Sequence, residues 1–287
     1  MPSVAVMDDI DEDGLELLRK NGFEILPKDR FEEADAIIVR SATKVNREFL
    51  ERCKNLKLVV RAGVGLDNID VDYAKQRGVE VRNTPKATAI SVAELTIGLI
   101  LSALRMINQA HISTKGGKWE KKRFLGSELY GKRVGLVGLG SIGLEVAKRC
   151  EAFGAEIAYY DIVDKGVYVR VDLEELFKTS DVVSLHLPLN PSTKGIIKYE
   201  LLSLLKRNAV LINTARGELI PEADLIRFLR EREDVIAALD VFEKEPPEGE
   251  ILELENVILT PHIGAQTKEA QRRASTEAAR IILEFFR

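Results

Sequence analysis

Cysteine is scarce in this sequence, which has only Cys53 and Cys150 among its 287 residues. Two isolated thiols supply neither a disulfide framework nor a pair at metal-binding spacing. The three histidines, His111, His186 and His262, also lack metal-ligand spacing with one another and with the cysteines. We therefore expect no metal site, and a reducing compartment in which both thiols are small core residues.

A large excess of charge of either sign is also lacking. The chain has 42 basic and 46 acidic side chains and a net charge of −4, which gives no bulk attraction to nucleic acid. The longest apolar stretch, 90–107, is interrupted by Glu94 and Arg105 and predicts no membrane span. No basic segment followed by an apolar core opens the chain, so we expect no secretion signal. These absences predict a cytoplasmic protein that binds neither nucleic acid nor a membrane.

What the sequence does contain is a glycine-rich turn, Gly138-Leu139-Gly140-Ser141-Ile142-Gly143, between an apolar run over 133–137 and an apolar helical pattern over 144–153. A GxGxxG run alone is weak support for nucleotide binding, but a strand before it and a helix after it strengthen the prediction. The first glycine allows the tight turn, the second lets the backbone approach a pyrophosphate, and the third lets the helix lie close to the strand. The helix N-terminus then offers free N–H groups to the anion.

Asp161 supports the same interpretation. It ends the next apolar run and stands 23 residues after Gly138, near the spacing of roughly 20 residues at which a carboxylate binds the ribose hydroxyls. A carboxylate there favours NAD, because it would repel the additional phosphate of NADP. The alternative is a glycine-rich turn beside an ordinary surface aspartate.

Strand and helix patterns alternate on both sides of this turn, which predicts an α/β protein with two doubly wound parallel sheets. Helical patterns over 11–21 and 70–77 stop at Gly22 and Gly78. A long apolar helix is expected over 88–106, beginning with a capping box from Ser91 to Glu94. The expected strands are apolar runs at 4–7, 36–39, 58–60, 79–81, 133–137, 156–160, 182–185, 210–213, 236–239 and 257–259. A closing helix over 266–287 could pack back on the first domain.

Three polar residues follow late strands, where open α/β sheets bind ligands. They are Arg216, Glu245 and His262. Each alone has an ordinary explanation as a loop or surface residue. Together they fit a dehydrogenase, because hydride removal from an alcohol needs a base for the hydroxyl proton, and histidine suits that task. A carboxylate beside the ring would favour its charged form, and a guanidinium can bind a substrate carboxylate through two parallel hydrogen bonds.

At this point the chain resembles a known family, the D-isomer-specific 2-hydroxyacid dehydrogenases, over nearly its whole length. The resemblance rests on separate motifs, which are VRSATKV at 39–45, RAGVGLDNID at 61–70, SVAEL at 91–95, GKWE at 117–120, the glycine-rich turn, NTARG at 213–217, LDVF at 239–242, EPP at 245–247 and PHIGA at 261–265. The resemblance implies a Rossmann-type nucleotide-binding domain, 86–264, inserted in a smaller flavodoxin-like substrate-binding domain formed by 1–85 and 265–287.

The resemblance also implies a role for particular residues. His262 would be the acid/base, Glu245 its carboxylate partner and Arg216 the carboxylate-binding group. The implied NAD-binding residues are Gly138, Gly140, Ser141, Ile142, Gly143, Asp161, Leu187, Thr214, Asp240 and Gly264. The implied substrate-binding residues are Arg40, Ser41, Arg61, Gly63, Val64, Gly65 and Asn68. Position 64 is often threonine in the family. Valine has no hydroxyl group, so Val64 could contact the substrate only through its backbone.

The implied reaction is oxidation of D-3-phosphoglycerate to 3-phosphohydroxypyruvate with NAD, the first step of serine biosynthesis. The alternatives are a glyoxylate or hydroxypyruvate reductase and, in another class, an NAD-sensing binding scaffold. A basic cluster at Lys118, Lys121, Lys122 and Arg123 is either a solvated loop or a segment that reaches a second subunit, and the resemblance leads us to expect a homodimer. Relatives often continue into C-terminal regulatory domains, whereas this sequence stops at Arg287, as a short form or as part of a longer chain.

Overall fold

The computed structural model describes residues 1–287, and the chain divides into two compact units. The first unit comprises Met1–Ser91 and Ala265–Arg287, and the second comprises Val92–Gly264. The sequence-based boundary after residue 85 lies slightly earlier than the observed one. Each unit is an α/β layer structure with its own sheet and its own core.

The first unit contains a five-stranded sheet in the order β2-β1-β3-β4-β5, with every pair parallel. Its central strands are apolar because helices cover both faces of the sheet. The strands are β1 (Ser3–Val6), β2 (Glu24–Leu26), β3 (Ala36–Val39), β4 (Leu58–Arg61) and β5 (Glu80–Asn83). The helices are α1 (Glu12–Lys20), α2 (Arg47–Arg52), α3 (Val71–Gln76) and, from the C-terminal segment, α10 (Lys268–Phe285), with a 3-10 turn at Lys28–Glu33.

The predicted ends of α1 and α3 are confirmed. Asp11 accepts a hydrogen bond from the N–H of Asp13 at the start of α1, and Asp70 caps α3 in the same way. Gly22 and Gly78 follow these helices with φ of 83° and 73°, a left-handed conformation that glycine adopts without steric cost.

Helix α10 packs closely against α1. A Cβ atom at Gly14 would lie 2.2 Å from Ser275 Oγ, so that only glycine allows this approach. Ser275 Oγ donates a hydrogen bond to the carbonyl of Asp11 at 2.5 Å. Ala278 and Ile282 of α10 are fully buried in the same core as Leu18. The C-terminal segment therefore completes the core that the N-terminal residues begin.

The second unit contains a seven-stranded parallel sheet in the order β12-β11-β10-β9-β6-β7-β8. Its strands are β6 (Arg133–Val137), β7 (Glu156–Tyr160), β8 (Val169–Arg170), β9 (Val182–Leu185), β10 (Val210–Asn213), β11 (Ile236–Leu239) and β12 (Val257–Leu259). Its helices are α4 (Ala89–Arg105, beginning in the first unit), α5 (Ile107–Lys115), α6 (Ser141–Ala152), α7 (Leu173–Thr179), α8 (Tyr199–Leu202) and α9 (Glu222–Glu231). Short 3-10 turns lie at Lys121–Arg123, Gly217–Leu219 and Gly249–Glu253.

The predicted capping box of α4 is wrong. The helix begins at Ala89, so that Ser91 lies inside it and cannot cap its N-terminus. The Glu94 carboxylate instead lies 3.4 Å from the guanidinium of Arg149.

Helix α4 ends where Met106 takes a left-handed φ of 50°, and α5 follows. No single helix has both the length and the apolarity for a membrane crossing, and α4 with α5 meets those criteria only as a pair bent by 65°.

Candidate functional site

The sequence-predicted site residues of the second unit follow consecutive strands along one edge of its sheet. His262 follows β12, Asp240 follows β11, Arg216 follows β10, Leu187 follows β9 and Asp161 follows β7. The glycine-rich turn follows β6, between β9 and β7 in the sheet. Carboxyl ends of parallel strands are where open α/β sheets bind ligands. The fold thus places the predicted cofactor residues beside the predicted catalytic residues.

The three glycines of the turn have different surroundings, and each fits one of the three roles that glycines have in a dinucleotide-binding turn. Gly138 has a φ of 100°, and a Cβ there would lie 2.8 Å from the carbonyl oxygen of His186. A Cβ at Gly143 would lie 2.3 Å from the carbonyl oxygen of Gly138, so that this glycine lets α6 approach β6. A Cβ at Gly140, at the N-terminus of α6, would have no neighbour within 4 Å. The backbone is therefore unobstructed at Gly140, at the end of α6 where a helix presents its first N–H groups.

Asp161 is hydrogen-bonded to the glycine-rich turn. Its Oδ2 accepts a hydrogen bond from the N–H of Leu139 at 2.9 Å, and its Oδ1 accepts one from Val163 at 3.1 Å. Leu187 also lies close to Gly138, with its Cδ2 3.1 Å from the position of a Cβ on that glycine. Both residues therefore border the glycine-rich turn, while Ser141 and Ile142 form the first turn of α6.

His262 and Glu245 form a hydrogen-bonded pair. His262 Nδ1 lies 2.9 Å from Glu245 Oε2, and the two side chains are 45% and 40% exposed. Since the carboxylate accepts at Nδ1, this contact favours the tautomer with a proton on Nδ1 and leaves Nε2 for a ligand. Glu245 Oε1 accepts from the N–H of Phe242 at 3.3 Å. The arrangement matches a histidine acid/base oriented by a carboxylate.

Asp240 holds the turn that carries His262. It is only 1% exposed, and its carboxylate accepts from Thr260 Oγ1 at 2.6 Å and from the N–H groups of Ile263 at 2.9 Å and Gly264 at 2.8 Å. His262 itself has a φ of 52°, which is unusual for a residue with a side chain. Three hydrogen bonds from flanking residues stabilise this backbone conformation.

The turn that carries Arg216 is built by Asn213. This buried amide accepts from the N–H of Ala215 at 3.1 Å and donates to the carbonyl of Arg216 at 2.9 Å. A Cβ at Gly217 would lie 1.9 Å from the carbonyl carbon of Phe242, so that this turn packs directly on the segment leading to Glu245. Thr214 Oγ1 lies 2.9 Å from Thr96 Oγ1 on α4. Arg216 and the His262–Glu245 pair are thus carried by loops in direct contact.

His186 is a third histidine at this edge, and it has a different character. One ring nitrogen, Nε2, lies 2.9 Å from Ser184 Oγ, and the other, Nδ1, is buried without a hydrogen-bond partner. Burial lowers the pKa of His186 to about 3, because the charged imidazolium would lose its solvation there. The ring is therefore neutral at physiological pH and is not an acid/base candidate.

Replacing His186 by Gln should make folding less sensitive to acid. Between a pH of about 6.5, where an unfolded histidine titrates, and about 3, the unfolded chain binds a proton that the folded protein excludes. Wild-type stability should therefore fall on acidification through this window, by about 1.4 kcal/mol per pH unit from this group. Urea unfolding of both proteins at several pH values measures the difference. The exposed His111 replaced by Gln is the control and should keep the wild-type slope.

The first unit carries the glycine-containing loop of the substrate-binding motif, which joins β4 to α3. A Cβ at Gly63 would lie 2.0 Å from Nη1 of Arg61, so that the glycine makes room for the guanidinium. The carbonyl of Gly63 accepts from the N–H of Thr84 at 3.0 Å, and the carbonyl of Val64 accepts from the side-chain amide of Asn83. The loop is therefore anchored to the last residue of β5 and to the residue that follows it.

The turn after β3 carries Arg40 and the exposed Ser41. Arg40 Nη1 donates to the carbonyl of Asp9 at 3.2 Å. Asn68, at the end of the glycine-containing loop, donates from its side-chain amide to the carbonyls of Arg40 at 2.8 Å and Thr43 at 2.6 Å. Both hydrogens of that amide are used inside the protein. Asn68 thus contacts the Arg40 segment in a way that the sequence did not predict.

The roles of Asn213, Thr96 and Asp8 were not predicted from the sequence. Of these residues, only Asn213 was recognisable there as a candidate, because it is a polar residue that ends an apolar strand.

The basic cluster is exposed, and its Arg123 lies 3.6 Å from Glu120. No group of three or more His, Cys, Asp or Glu side chains is arranged to hold a metal ion.

Comparisons with known proteins agree on one family. The model of the D-isomer specific 2-hydroxyacid dehydrogenase, NAD binding domain, matches residues 97–264. A D-3-phosphoglycerate dehydrogenase of Methanocaldococcus jannaschii is 46% identical, over 100% of this chain and 58% of its own length. A hydroxypyruvate reductase of Thermotoga maritima is 48% identical, over 96% of this chain and 95% of its own. The chain thus spans little more than half the length of the first relative and nearly all of the second.

Among solved structures, the NAD⁺-bound 3-phosphoglycerate dehydrogenase of Entamoeba histolytica superimposes with a TM-score of 0.85. It is 36% identical, and the match covers 99% of this chain and 95% of that one. The similarity therefore extends across both units.

Proposed function

The chain belongs to the family of D-isomer-specific 2-hydroxyacid dehydrogenases, and we propose that it oxidises D-3-phosphoglycerate to 3-phosphohydroxypyruvate with NAD. The observation that carries this proposal is the His262–Glu245 contact of 2.9 Å at the sheet edge that also bears the glycine-rich turn. An acid/base pair beside a dinucleotide site is what removal of a hydride and a proton from an alcohol requires.

The cofactor site of this proposal uses the turn around Gly140. The unobstructed backbone at Gly140 and the N-terminus of α6 fit a pyrophosphate, which the first N–H groups of α6 would bind. Asp161 would accept the ribose hydroxyls with the lone pairs that its two backbone contacts leave. Asp240, Gly264, Thr214 and Leu187 would border the remainder of the dinucleotide. When bound, NAD supplies the acceptor for the hydride.

His262 would take the proton in the direction of oxidation. Its Nε2, opposite the Nδ1 that faces Glu245, accepts the hydroxyl proton of the substrate. The imidazolium that results is stabilised by the Glu245 carboxylate. In the direction of reduction the same nitrogen returns the proton to the alkoxide oxygen. Arg216 would bind the substrate carboxylate through paired hydrogen bonds and, in reduction, polarise the keto group.

The phosphate of the substrate would be bound by residues of the first unit. Arg40 and Arg61 offer guanidinium groups, and backbone N–H groups in the segment from Gly63 to Gly65 offer uncharged donors. Ser41 would add a hydroxyl, whereas Val64 contributes no side-chain donor. The preference for a phosphorylated acid therefore depends on this unit.

A substrate panel tests the proposal. Purified protein is assayed with NADH or NADPH against 3-phosphohydroxypyruvate, hydroxypyruvate and glyoxylate. We expect the highest kcat/KM with NADH and the phosphorylated acid. The T. maritima relative, similar over nearly its whole length, favours hydroxypyruvate reduction as the second candidate, and a higher kcat/KM for hydroxypyruvate would select it. Cofactor binding without any turnover would instead indicate an NAD-sensing scaffold.

Replacing Arg61 by Ala should separate phosphorylated from unphosphorylated substrates. Loss of a charge-assisted hydrogen bond to phosphate should lower kcat/KM for 3-phosphohydroxypyruvate roughly 30-fold, and for hydroxypyruvate less than about threefold. Steady-state kinetics with both acids measure the ratio. Arg82, a partly exposed arginine on the neighbouring strand β5, gives the control variant R82A, which should change neither value. Equal losses on both acids would remove Arg61 from phosphate binding.

We also propose a homodimer formed through the segment after α4. This segment exposes large apolar side chains, including Ile112 at 71%, Trp119 at 85% and Leu125 at 88%. Helix α5 buries no residue at all, and a pocket lined by the apolar Met106, Ile112, Phe124, Leu229 and Leu254 together with charged side chains such as Lys118, Glu120 and Arg230 lies beside it. Several large exposed apolar side chains within one segment, beside a pocket with a polar rim, are typical of a subunit interface.

Replacing Leu125 and Ile112 by Glu should convert the dimer to a monomer, because two buried carboxylates would oppose association. Sedimentation velocity measures the change. The variant Val71→Glu introduces a charge at another exposed apolar position, on α3, and should remain dimeric. A wild-type protein that sediments as a monomer would contradict the proposal.

The proposed reaction would be the first step of serine biosynthesis, in the cytoplasm.

A further inference from the structure

Asp8 is a buried carboxylate in the first unit that no role above uses. It follows β1 and is 8% exposed. Its Oδ2 accepts from the N–H of Arg40 at 2.5 Å and from the N–H of Thr43 at 3.3 Å, and its Oδ1 accepts from Thr43 Oγ1 at 2.6 Å. A carboxylate is costly to bury without partners, and here three donors offset that cost.

All three donors belong to one segment, residues 40–43, which we call the Arg40 turn. Asn68 holds the same turn from its carbonyl side, through its two hydrogen bonds to Arg40 and Thr43. Beyond the turn, the N–H of Val45 donates to the carbonyl of Asn68 at 2.8 Å. Asp8 and Asn68 together therefore engage N–H and C=O groups at both ends of the Arg40 turn.

A negative charge near a phosphate site would by itself weaken phosphate binding. The function of Asp8 is therefore to hold the backbone of the turn in place and not to supply charge, because both of its carboxylate oxygens accept hydrogen bonds from the turn. Fixing the backbone of Arg40 before the substrate arrives reduces the conformational entropy lost on binding.

We propose that Asp8 and Asn68 are positioning residues that preorganise the Arg40 turn for the phosphate-bearing end of the substrate. The inference rests on the proposed function for the identity of that substrate. It assigns Asn68 to the support of the turn, with no direct donor to substrate from its amide, and adds Asp8 to the residues that determine specificity. Neither residue contacts the reacting atoms in this proposal.

Two substitutions of Asp8 test the kinetic consequence. Asp8→Ala removes all three hydrogen bonds and should raise KM for 3-phosphohydroxypyruvate about tenfold, with a smaller change in kcat and unchanged NADH affinity. In Asp8→Asn the amide oxygen can still accept from the two N–H groups while the amide nitrogen donates to Thr43 Oγ1, so that KM should rise less than about threefold. A purely electrostatic role would instead give a lower KM in Asp8→Asn.

Asp35 provides the matched control at the opposite edge of the same sheet. Its carboxylate accepts from the N–H of Ser3 at 3.0 Å, from Ser3 Oγ at 3.1 Å and from Lys57 Nζ at 3.1 Å. Asp35→Ala therefore also removes a set of anchoring contacts from the first unit, but it should leave KM unchanged. Equal KM values in the two alanine variants would overturn the proposal.

Hydrogen exchange in the ligand-free protein gives a readout that needs no substrate. The amides of Arg40 and Thr43 should exchange about tenfold faster in Asp8→Ala, close to the wild-type rate in Asp8→Asn, and at the wild-type rate in Asp35→Ala. Unchanged exchange in Asp8→Ala would overturn the positioning role. Failure of the wild type to use 3-phosphohydroxypyruvate would overturn the proposed function while leaving this exchange test valid. If Asp8→Ala does not fold, Thr43→Val removes one hydrogen bond and should raise KM about threefold, and no rise would count against the proposal.

Discussion

Replacing His262 by Gln should lower kcat for reduction of 3-phosphohydroxypyruvate about a thousandfold. Glutamine can keep a hydrogen bond to Glu245, but its amide cannot take up or release a proton near neutral pH, and general acid–base catalysis contributes on the order of 10²- to 10⁴-fold. The 2.9 Å contact that orients the ring should be partly retained, so that the fold and the cofactor site remain intact. Steady-state kinetics together with an NADH titration followed by fluorescence make the measurement.

His111 supplies the control for this experiment. It is an exposed histidine on α5 in the same unit, and His111→Gln should keep the wild-type kcat. The NADH dissociation constant should be unchanged in both variants, because neither side chain belongs to the glycine-rich turn. A loss of less than about tenfold in His262→Gln would place the acid/base function on another group.

Replacing Arg216 by Ala should lower kcat/KM by a factor on the order of 10³. The guanidinium would make two charge-assisted hydrogen bonds to the substrate carboxylate, and it would also stabilise negative charge on the reacting oxygen. Arg216→Lys retains the charge but not the forked geometry, and it should recover only a minor part of the loss. The measurement is kcat/KM for the phosphorylated and unphosphorylated acids, both of which carry the carboxylate and should be affected alike.

Arg230 provides a matched control for the Arg216 variants. It is a half-exposed arginine on α9 that pairs with Glu250 at 2.7 Å, away from the sheet edge described above. Arg230→Ala should change kcat/KM less than about twofold, as exposed ion pairs contribute little. An Arg216→Ala variant with nearly wild-type kcat/KM would show that the carboxylate is bound elsewhere.

The strands of both sheets could be predicted largely because parallel strands covered on both faces are continuous apolar runs. The bounds of β6, β7 and β9 to β12 agree with the predicted runs. Strands β2 and β8 were not predicted. They have three and two residues, and exposed positions interrupt their apolar character.

Residues at the second sheet edge could also be located from the sequence, because a polar residue within three positions of the end of a buried strand stands at the carboxyl edge of the sheet. Arg216 and His262 follow this rule. The contact between His262 and Glu245 could be suggested only from chemistry, since the residues are 17 positions apart in irregular segments. Their roles in turnover remain part of the proposal.

The role of Asp8 could not be predicted. Its partners lie 32 to 35 residues away, and it stands among Asp9, Asp11, Glu12 and Asp13, a composition typical of a solvated surface. The capping box of α4 was misplaced for a related reason, although the predicted start of the helix at residue 88 was within one residue of Ala89. Ser91 and Glu94 match a capping box by spacing, but spacing alone does not show whether earlier residues are already helical.

The close packing of α1 on α10 has a consequence for biosynthesis. A ribosome releases the strands of the first sheet well before it makes the helix that covers them, because that helix is formed by residues 268–285. Meanwhile the stretch 92–264 brings all the residues of its own core into the growing chain. Until residues 268–285 have been made, the nascent chain therefore carries an uncovered apolar face on the first sheet, and this face is where chaperone binding or early aggregation would begin.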